Sequence, residues 1–311
     1  MLKILLLGNT GQLGWELHRT LQPLGKVVAL DYPEVNMADT VSIRKTVQEH
    51  CPEVIINATA YTAVDKAESE PELAEAINAT GPAVLAEESH KLNALLIHFS
   101  TDYVFDGKKG SPYTETDAPN PINVYGLTKL HGEQAIQAVG GAYLILRTSW
   151  VYSLRRESFV SKVLEWARTQ KTLRIVDDQI ANPTWARMLA EITAQVLARG
   201  EEYIHERAGL YHLAGDGYAS RLEWARKILE FDPHRETQVC KEILPALTND
   251  FPTPAQRPLF SALNCDNFAA TFTLHPAGTS RAAPAPLGGG DANGHGALMC
   301  SRITLAGSER R

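Results

Sequence analysis

Tyr125 and Lys129 stand four residues apart in the segment Asn123-Val-Tyr-Gly-Leu-Thr-Lys129. On a helix, positions four apart share one face, so a phenol and an ammonium would point into the same space. A free phenol has a pKa of about 10 and is a poor proton donor or acceptor near neutrality. A nearby cation stabilises the phenolate and brings the group toward useful acid–base strength. Taken alone, Tyr-x-x-x-Lys is more often a surface pair, so its meaning depends on the segments upstream.

Those segments read as a dinucleotide site. Leu2 to Leu7 is a short apolar run, as expected of a buried parallel strand. It is followed by Gly8-Asn-Thr-Gly11-Gln12-Leu13-Gly14, and then by Leu13, Leu17 and Leu21 at helical spacing. In a strand–turn–helix of this kind Gly8 permits the tight turn and Gly11 lets backbone approach a pyrophosphate. Gly14 lets the helix pack close, with the anion at its N-terminus. The spacing is G-x-x-G-x-x-G and not G-x-G-x-x-G. A second strand is predicted at Val27–Asp31. Asp31 then lies where an acid meets the adenosine ribose and disfavours a 2′-phosphate, or where it caps the turn before Pro33. The segment 42–48 reads as a helix capped near Asp39, Thr40 or Ser42. A third strand, 52–57, ends in the small residues Ala58, Thr59 and Ala60 and then Tyr61, leaving room for a cofactor against backbone. A helix is expected over 71–89 with Asn78 reaching inward, and a fourth strand, Leu95–Ser100, ends in Ser100-Thr101-Asp102-Tyr103. Polar groups at the carboxyl end of a central strand are where open α/β sheets bind ligands. A helix from Tyr125 to about Val139 and a strand at 143–148 complete this half.

The whole chain sets bounds on function. With 311 residues it can build a large α/β core with a smaller unit attached. A net charge of −6 and the lack of a dense Lys/Arg stripe argue against nucleic acid as the main partner. No run of about 18 apolar residues suggests a membrane span, and Lys3 with four apolar residues before Gly8 is not a signal peptide. Cys51, Cys240, Cys265 and Cys300 are scattered without metal-site spacing, which suits a reducing, cytoplasmic setting.

Three features occur in order: the glycine turn, a strand ending in Ser100-Thr101, and Tyr125-x-x-x-Lys129. Together they resemble the extended short-chain dehydrogenase/reductase family. Within it, residues 100–107, Tyr125-Gly-x-x-Lys129, Arg147-Thr-Ser-Trp-Val-Tyr152 and Asn182-Pro-Thr184 look like the dTDP-4-dehydrorhamnose reductases, over roughly residues 1–272. The resemblance implies a Rossmann-type doubly wound α/β fold, with residues 1–150 as the NAD(P)-binding core. Residues 151–272 would be mainly a nucleotide-sugar lobe. It implies NADPH or NADH as cofactor and a dTDP-sugar as substrate, reduced at the C4 ketone. Tyr125 would donate the proton, Lys129 would hold the nicotinamide ribose and favour the phenolate, and Thr101 would bond the carbonyl oxygen. Asp102, Tyr103 and Trp150 would place the sugar ring, and Arg257 would contact the diphosphate or lie solvated at the surface. Hydride addition to a ketone builds negative charge on oxygen, so a pre-aimed phenol and hydroxyl lower the barrier.

In the second half, Ser158 to Arg168 reads as an amphipathic helix, Thr172–Val176 as a strand, and Thr184 as the N-cap of a helix to Leu197. A strand is expected at 211–214, and a helix to Leu229 capped by Ser220. Two departures from the family stand out. Some members form a magnesium-bridged dimer through glutamates; Glu16 matches one, but Arg187 puts a cation at the other, so a monomer or weak dimer without bridging metal is expected. The family ends in a short amphipathic helix, whereas residues 273–311 are rich in Gly and Pro and read as a disordered tail. A reading-frame change near residue 273 would account for it. The alternatives are a non-catalytic nucleotide-binding regulatory subunit, like that of methionine adenosyltransferase, or a nucleotide-sugar epimerase or dehydratase. If Tyr125 is the proton donor, Tyr125→Phe keeps dinucleotide binding and loses at least about 10²-fold in turnover. Near-normal turnover in steady-state kinetics of that variant would remove the assignment.

Overall fold

The computed structural model describes residues 1–277; of the tail expected to be disordered, 273–311, all but its first five residues lie outside the described residues. Six strands form one parallel sheet: β1 (Leu2–Leu7), β2 (Gly25–Leu30), β3 (Val54–Asn57), β4 (Leu95–Thr101), β5 (Tyr143–Thr148) and β6 (Gly209–His212). Their order is β6-β5-β4-β3-β1-β2, and every pairing is parallel. Strands β1, β3 and β4 are buried along nearly their whole length because both faces of the sheet are covered. One face packs on α1 (Gln12–Thr20), with Leu13 and Leu17 buried, and the other on α2 (Thr40–His50), with Ile43 and Val47 buried. Helices α3 (Gly81–Leu92) and α4 (Val124–Val139) share the second face through Val84, Leu85 and Ile136. This is the doubly wound Rossmann-type arrangement. The strand order reverses at β1 and β3, so their carboxyl ends open a crevice at the topological switch point.

Local chemistry explains most boundaries. Asp39 is the residue that caps α2, accepting from the amides of Val41 and Ser42. Asn123 caps α4 by accepting from Gly126 N at 2.8 Å. The helix expected over 71–89 is interrupted: Pro71–Glu75 is α-helical, Ala76–Thr80 is a π turn, and α3 then runs on to Leu92. The π turn buries Asn78, whose carboxamide accepts from Tyr61 N at 2.8 Å and donates to Thr128 Oγ1 at 3.1 Å. Asn78 therefore reaches inward and ties the loop after β3 to α4.

Beyond β5 the chain adds α5 (Phe159–Thr169), α6 (Ala186–Leu197), α7 (Arg221–Glu230) and α8 (Asp266–Phe272). Helix α6 and α8 return to the main sheet through Leu189, Phe268 and Phe272. A separate small core forms from Val163, Leu173, Ile175, Leu222 and Leu229, under a parallel ladder of Thr172–Val176 with Glu242–Ala246. Ser158 and Ser220 cap α5 and α7 with reciprocal side-chain bonds. Thr184 does not cap α6: the helix begins at Ala186, and Thr184 pairs with Val151 in a short ladder. Its hydroxyl is used to donate to Asn182 O and accept from Gly215 N, so it is not available to the helix.

Phe272 is fully buried against Tyr211 and Phe268 near the end of the described chain. Phe272→Ala should cost about 3–5 kcal/mol of unfolding free energy in denaturant titration. An unchanged midpoint would show that α8 does not complete the core.

Candidate active site

Strand β4 and helix α4 bring together the groups singled out in the sequence. Thr101 ends β4, and its hydroxyl donates to Asp102 Oδ1 and accepts from Tyr103 N, both at 3.2 Å. Across from it, the Tyr125 phenol packs edge-on against Tyr103, with ring centroids 5.8 Å apart. Burial raises the Tyr125 pKa well above the usual phenol value; the Thr101 hydroxyl lowers it in part, while Asp102 and Tyr103 raise it further. The phenol is thus held protonated. The Lys129 ammonium group is carried away to β4, where it lies 2.7 Å from Phe99 O and 3.0 Å from His98 Nε2. Desolvation brings Lys129 down to about 8, although Glu133 favours its charge.

Beneath this pair sits a buried ion pair that sequence reading missed. Glu133 on α4 accepts from Arg147 Nε at 2.9 Å and Nη2 at 2.6 Å, and from Ser100 Oγ at 2.5 Å. It lies two helical turns after Tyr125 and fastens α4 to the carboxyl ends of β4 and β5. His98 was also missed, although a histidine within the apolar run Leu95-Leu-Ile-His-Phe is a visible signal. Its Nδ1 lies 3.0 Å from Asn57 Nδ2.

The glycine turn lies at the switch point. Gly8 has φ +87°, a left-handed value that suits only glycine without strain. A Cβ on Gly14 would fall 2.0 Å from Gly8 O, so the turn and α1 can close only with glycine there. Helix α1 starts at Gly11 with no side-chain cap, leaving its first amide donors free of a side-chain partner. Gln12 accepts from Ser153 N at 2.7 Å and so joins the turn to the loop after β5, while Leu13 is buried in the core. Asp31 ends up in turn-capping contacts, accepting from Thr10 Oγ1 at 2.5 Å, Thr10 N at 3.1 Å and Tyr32 N at 2.8 Å. Arg156, which the sequence did not flag, reaches Thr10 Oγ1 at 2.9 Å and sets a cation beside that acid. Ala58 and Ala60 line the mouth between β1 and β3 as small residues, and Thr59 binds Asn57 Oδ1. Tyr61 turns its hydroxyl to Glu70 at 2.5 Å.

On the other side of Tyr125 the wall is aromatic and cationic. Trp150 adopts φ +37°, stacks on Trp224 with centroids 5.5 Å apart, and carries the Arg221 guanidinium at 3.9 Å. Positive φ in a bulky residue is strain, as is found at functional sites. Arg221 also lies close enough to Tyr103 to act on its phenol, a proximity the sequence did not announce. Arg257 is neither solvated nor free: it donates to Asp65 Oδ2 and Ala255 O, both at 2.8 Å. It still faces Tyr103 and Arg221 closely enough to act on both. Arg187 pairs with Glu191 at 2.7 Å, and Glu16 lies 3.6 Å from Arg19.

Asp102 departs from a sugar-facing role, because it is 2% exposed and its Oδ2 accepts from Ser261 Oγ at 2.5 Å. Burial raises its pKa to about 6, against the opposing hydroxyls of Ser261, Ser149 and Thr101. A raised carboxyl binds its proton more tightly when folded. Asp102 therefore costs nothing below its unfolded pKa and destabilises progressively as pH rises from about 4 to about 6. Two pKa units correspond to about 2–3 kcal/mol. Asp102→Asn should accordingly raise stability relative to the parent by about 2 kcal/mol near pH 8 and by little near pH 4. Urea titrations at both pH values measure this, and an equal shift at both would refute it.

Comparison with known proteins places this geometry in context. Residues 2–285 match the family model described as the RmlD substrate binding domain. The chain is 43% identical over 280 residues to a dTDP-4-dehydrorhamnose reductase of Salmonella typhimurium, covering 88% of this chain and 93% of that one. It is 40% identical over 282 residues to one of Burkholderia thailandensis, covering 88% and 94%. Among solved structures, a Bacillus anthracis dTDP-4-dehydrorhamnose reductase in complex with NADP matches with TM-score 0.81 and 31% identity, covering 90% of this chain and 96% of that one. With its glycine turn, its Thr101–Tyr125 pair and these similarities along most of its length, the chain belongs to the RmlD family, that of the dTDP-4-dehydrorhamnose reductases.

Proposed function

We propose that this protein reduces the C4 ketone of dTDP-4-dehydro-β-L-rhamnose to dTDP-L-rhamnose with NADPH or NADH. The observation that carries the reading is the convergence of a protonated Tyr125 and the Thr101 hydroxyl beside the switch-point crevice. The residues present suit a dinucleotide: Gly8, Gly11 and Gly14 leave a cradle that side chains would fill, and the first turn of α1 lacks a side-chain cap. Gly8, Gly11, Gln12, Leu13 and Gly14 would hold the pyrophosphate, and Asp31 the adenosine ribose. Ala58, Thr59, Ala60 and Tyr61 would border the cofactor, with Tyr125 and Lys129 at its nicotinamide end. When bound, the reduced nicotinamide supplies the hydride.

The chain's own groups do the rest. Tyr125 enters protonated, because burial disfavours its anion, and donates to the ketone oxygen as negative charge grows there. The Thr101 hydroxyl, held by Asp102 and Tyr103 N, would support the same oxygen by turning its one proton from Asp102 Oδ1 toward it. Tyr103, Trp150 and Arg221 would form the sugar wall, with Arg257 toward the diphosphate. We assign the cofactor core to residues 1–150 and the nucleotide-sugar lobe mainly to 151–272, with β6, α6 and α8 returning to the core. A cytoplasmic monomer or weak dimer without bridging metal fits the scattered cysteines and Arg187. Relatives with about 40% identity carry the reductase name, which disfavours the regulatory-subunit and epimerase alternatives.

The test is the loss of reduced-nicotinamide absorbance with dTDP-4-dehydro-β-L-rhamnose as acceptor. Substrate-dependent oxidation yielding dTDP-L-rhamnose is expected. A folded protein that binds NADPH yet consumes none would overturn the proposal.

A further inference from the structure

The segment after β5 folds back across the glycine turn and is fastened there residue by residue. Ser153 N donates to Gln12 Oε1 at 2.7 Å. The Arg155 guanidinium lies over the Trp15 ring at 4.3 Å, a ring that also carries Arg19 at 4.7 Å. Arg156 Nη2 donates to Thr10 Oγ1 at 2.9 Å. Arg155 is thus committed to the α1 side of the turn. Arg156 lies on the β2 side, because Thr10 is itself bound to Asp31 through its hydroxyl at 2.5 Å and its amide at 3.1 Å.

Asp31 follows β2, where an acid meets the adenosine ribose in folds of this kind. An ionised carboxylate has about four acceptor sites. Three are taken, Oδ2 by the hydroxyl and amide of Thr10 and Oδ1 by Tyr32 N at 2.8 Å. What is left suits a single ribose hydroxyl. Across Thr10 stands Arg156, exposed and spending one donor on the threonine hydroxyl. Among the described residues no carboxylate pairs with it, so most of the donors of its guanidinium fork are open to a ligand. An acid alone at this place repels a 2′-phosphate, whereas an arginine beside it accommodates one, because the fork suits phosphate oxygens.

We propose that Arg156 is a specificity-determining residue for the dinucleotide: it receives the 2′-phosphate of the adenosine ribose and so lets a site bearing Asp31 take NADPH as well as NADH. This rests on the reductase reading for the dinucleotide site and names the group that governs the choice within it. A phosphate monoester carries about −1.5 to −2 near neutrality. Asp31 adds to that negative charge, and Arg156 is the cation that faces both. NADH offers a hydroxyl instead, which the remaining site on Asp31 can accept without the guanidinium. Removing the Arg156 charge therefore weakens one nucleotide and spares the other. A role limited to holding the segment on the turn, or to the pyrophosphate that both nucleotides share, would weaken both alike.

Arg156→Gln removes the charge and keeps an NH₂ donor for Thr10. Binding to the full chain, without any sugar acceptor, can be followed by isothermal titration calorimetry. The probes are NADPH and NADH, together with adenosine 2′,5′-bisphosphate and 5′-AMP, fragments that differ only in the 2′-phosphate. The parent should bind NADPH at least as tightly as NADH. In Arg156→Gln the Kd of NADPH and of the bisphosphate should rise about tenfold or more, while those of NADH and 5′-AMP stay within about twofold. Arg155→Gln loosens the same segment from Trp15 and should leave the ratio of the NADPH and NADH dissociation constants unchanged. A parent that favours NADH, an unchanged ratio in Arg156→Gln, or equal weakening of both nucleotides would overturn the proposal. The expected ratios in a protein that oxidises no NADPH with a dTDP-sugar would support Arg156 as the determinant and count against the reductase reading instead. A parent that binds neither nucleotide would overturn both.

Discussion

The buried pair of Glu133 and Arg147 is the interaction on which the site's geometry rests. Both side chains are almost wholly removed from water, and the carboxylate also takes the Ser100 hydroxyl. Such a pair is weak evidence for net stability, but losing one partner strands a buried charge at a cost of about 3–5 kcal/mol. Its value here is positional. It locks α4 to the carboxyl ends of β4 and β5, two helical turns from Tyr125. Two close backbone approaches set the distance: a Cβ on Gly126 would fall 2.1 Å from Tyr103 O, and one on Gly132 would fall 2.2 Å from Asn78 O. Charge fixes the rotation of the helix, and the glycines fix its depth.

With α4 seated, burial sets the chemistry. The same desolvation that raises Tyr125, Tyr103 and Asp102 lowers Lys129 and His98. Every one of these shifts favours a neutral group. Arg221 and Arg257 face Tyr103, and desolvation acts on Arg221 as well.

The later half of the chain closes that arrangement through a few long-range bonds. Ser261 reaches Asp102, Arg257 reaches Asp65, and Asn123 donates to Gln256 O at 2.7 Å. Each joins the segment between residues 256 and 261 to an element of the first half that borders the site. Asn182 contributes a further tie, accepting from Leu263 N at 2.7 Å and donating to Gly217 O at 2.9 Å. The Asn182-Pro-Thr184 segment therefore serves as a junction of three strands of chain, which explains why Thr184 has no hydroxyl to spare for the following helix.

Much of this was legible in the sequence because it depends on short-range rules. Apolar runs ending in glycine or hydroxyl residues marked the parallel strands. A period of about 3.6 marked α1 and α5, and Ser220 marked a helix start. Glycine spacing located the dinucleotide turn, and Tyr125 with Thr101 located the candidate reaction centre. Only the tertiary structure decided where Lys129 points, because Phe99 O and His98 come from a strand about 30 residues earlier. It also decided that Arg257 is paired, that Asp31 caps Thr10, that Asp102 is buried beneath Ser261, and that Glu133 meets Arg147. The physical reason is common to all of them. Residue type and local spacing specify backbone form and the menu of chemistry. Partners and pKa values depend on which distant groups share a low-dielectric space, and that is settled only when the sheet closes.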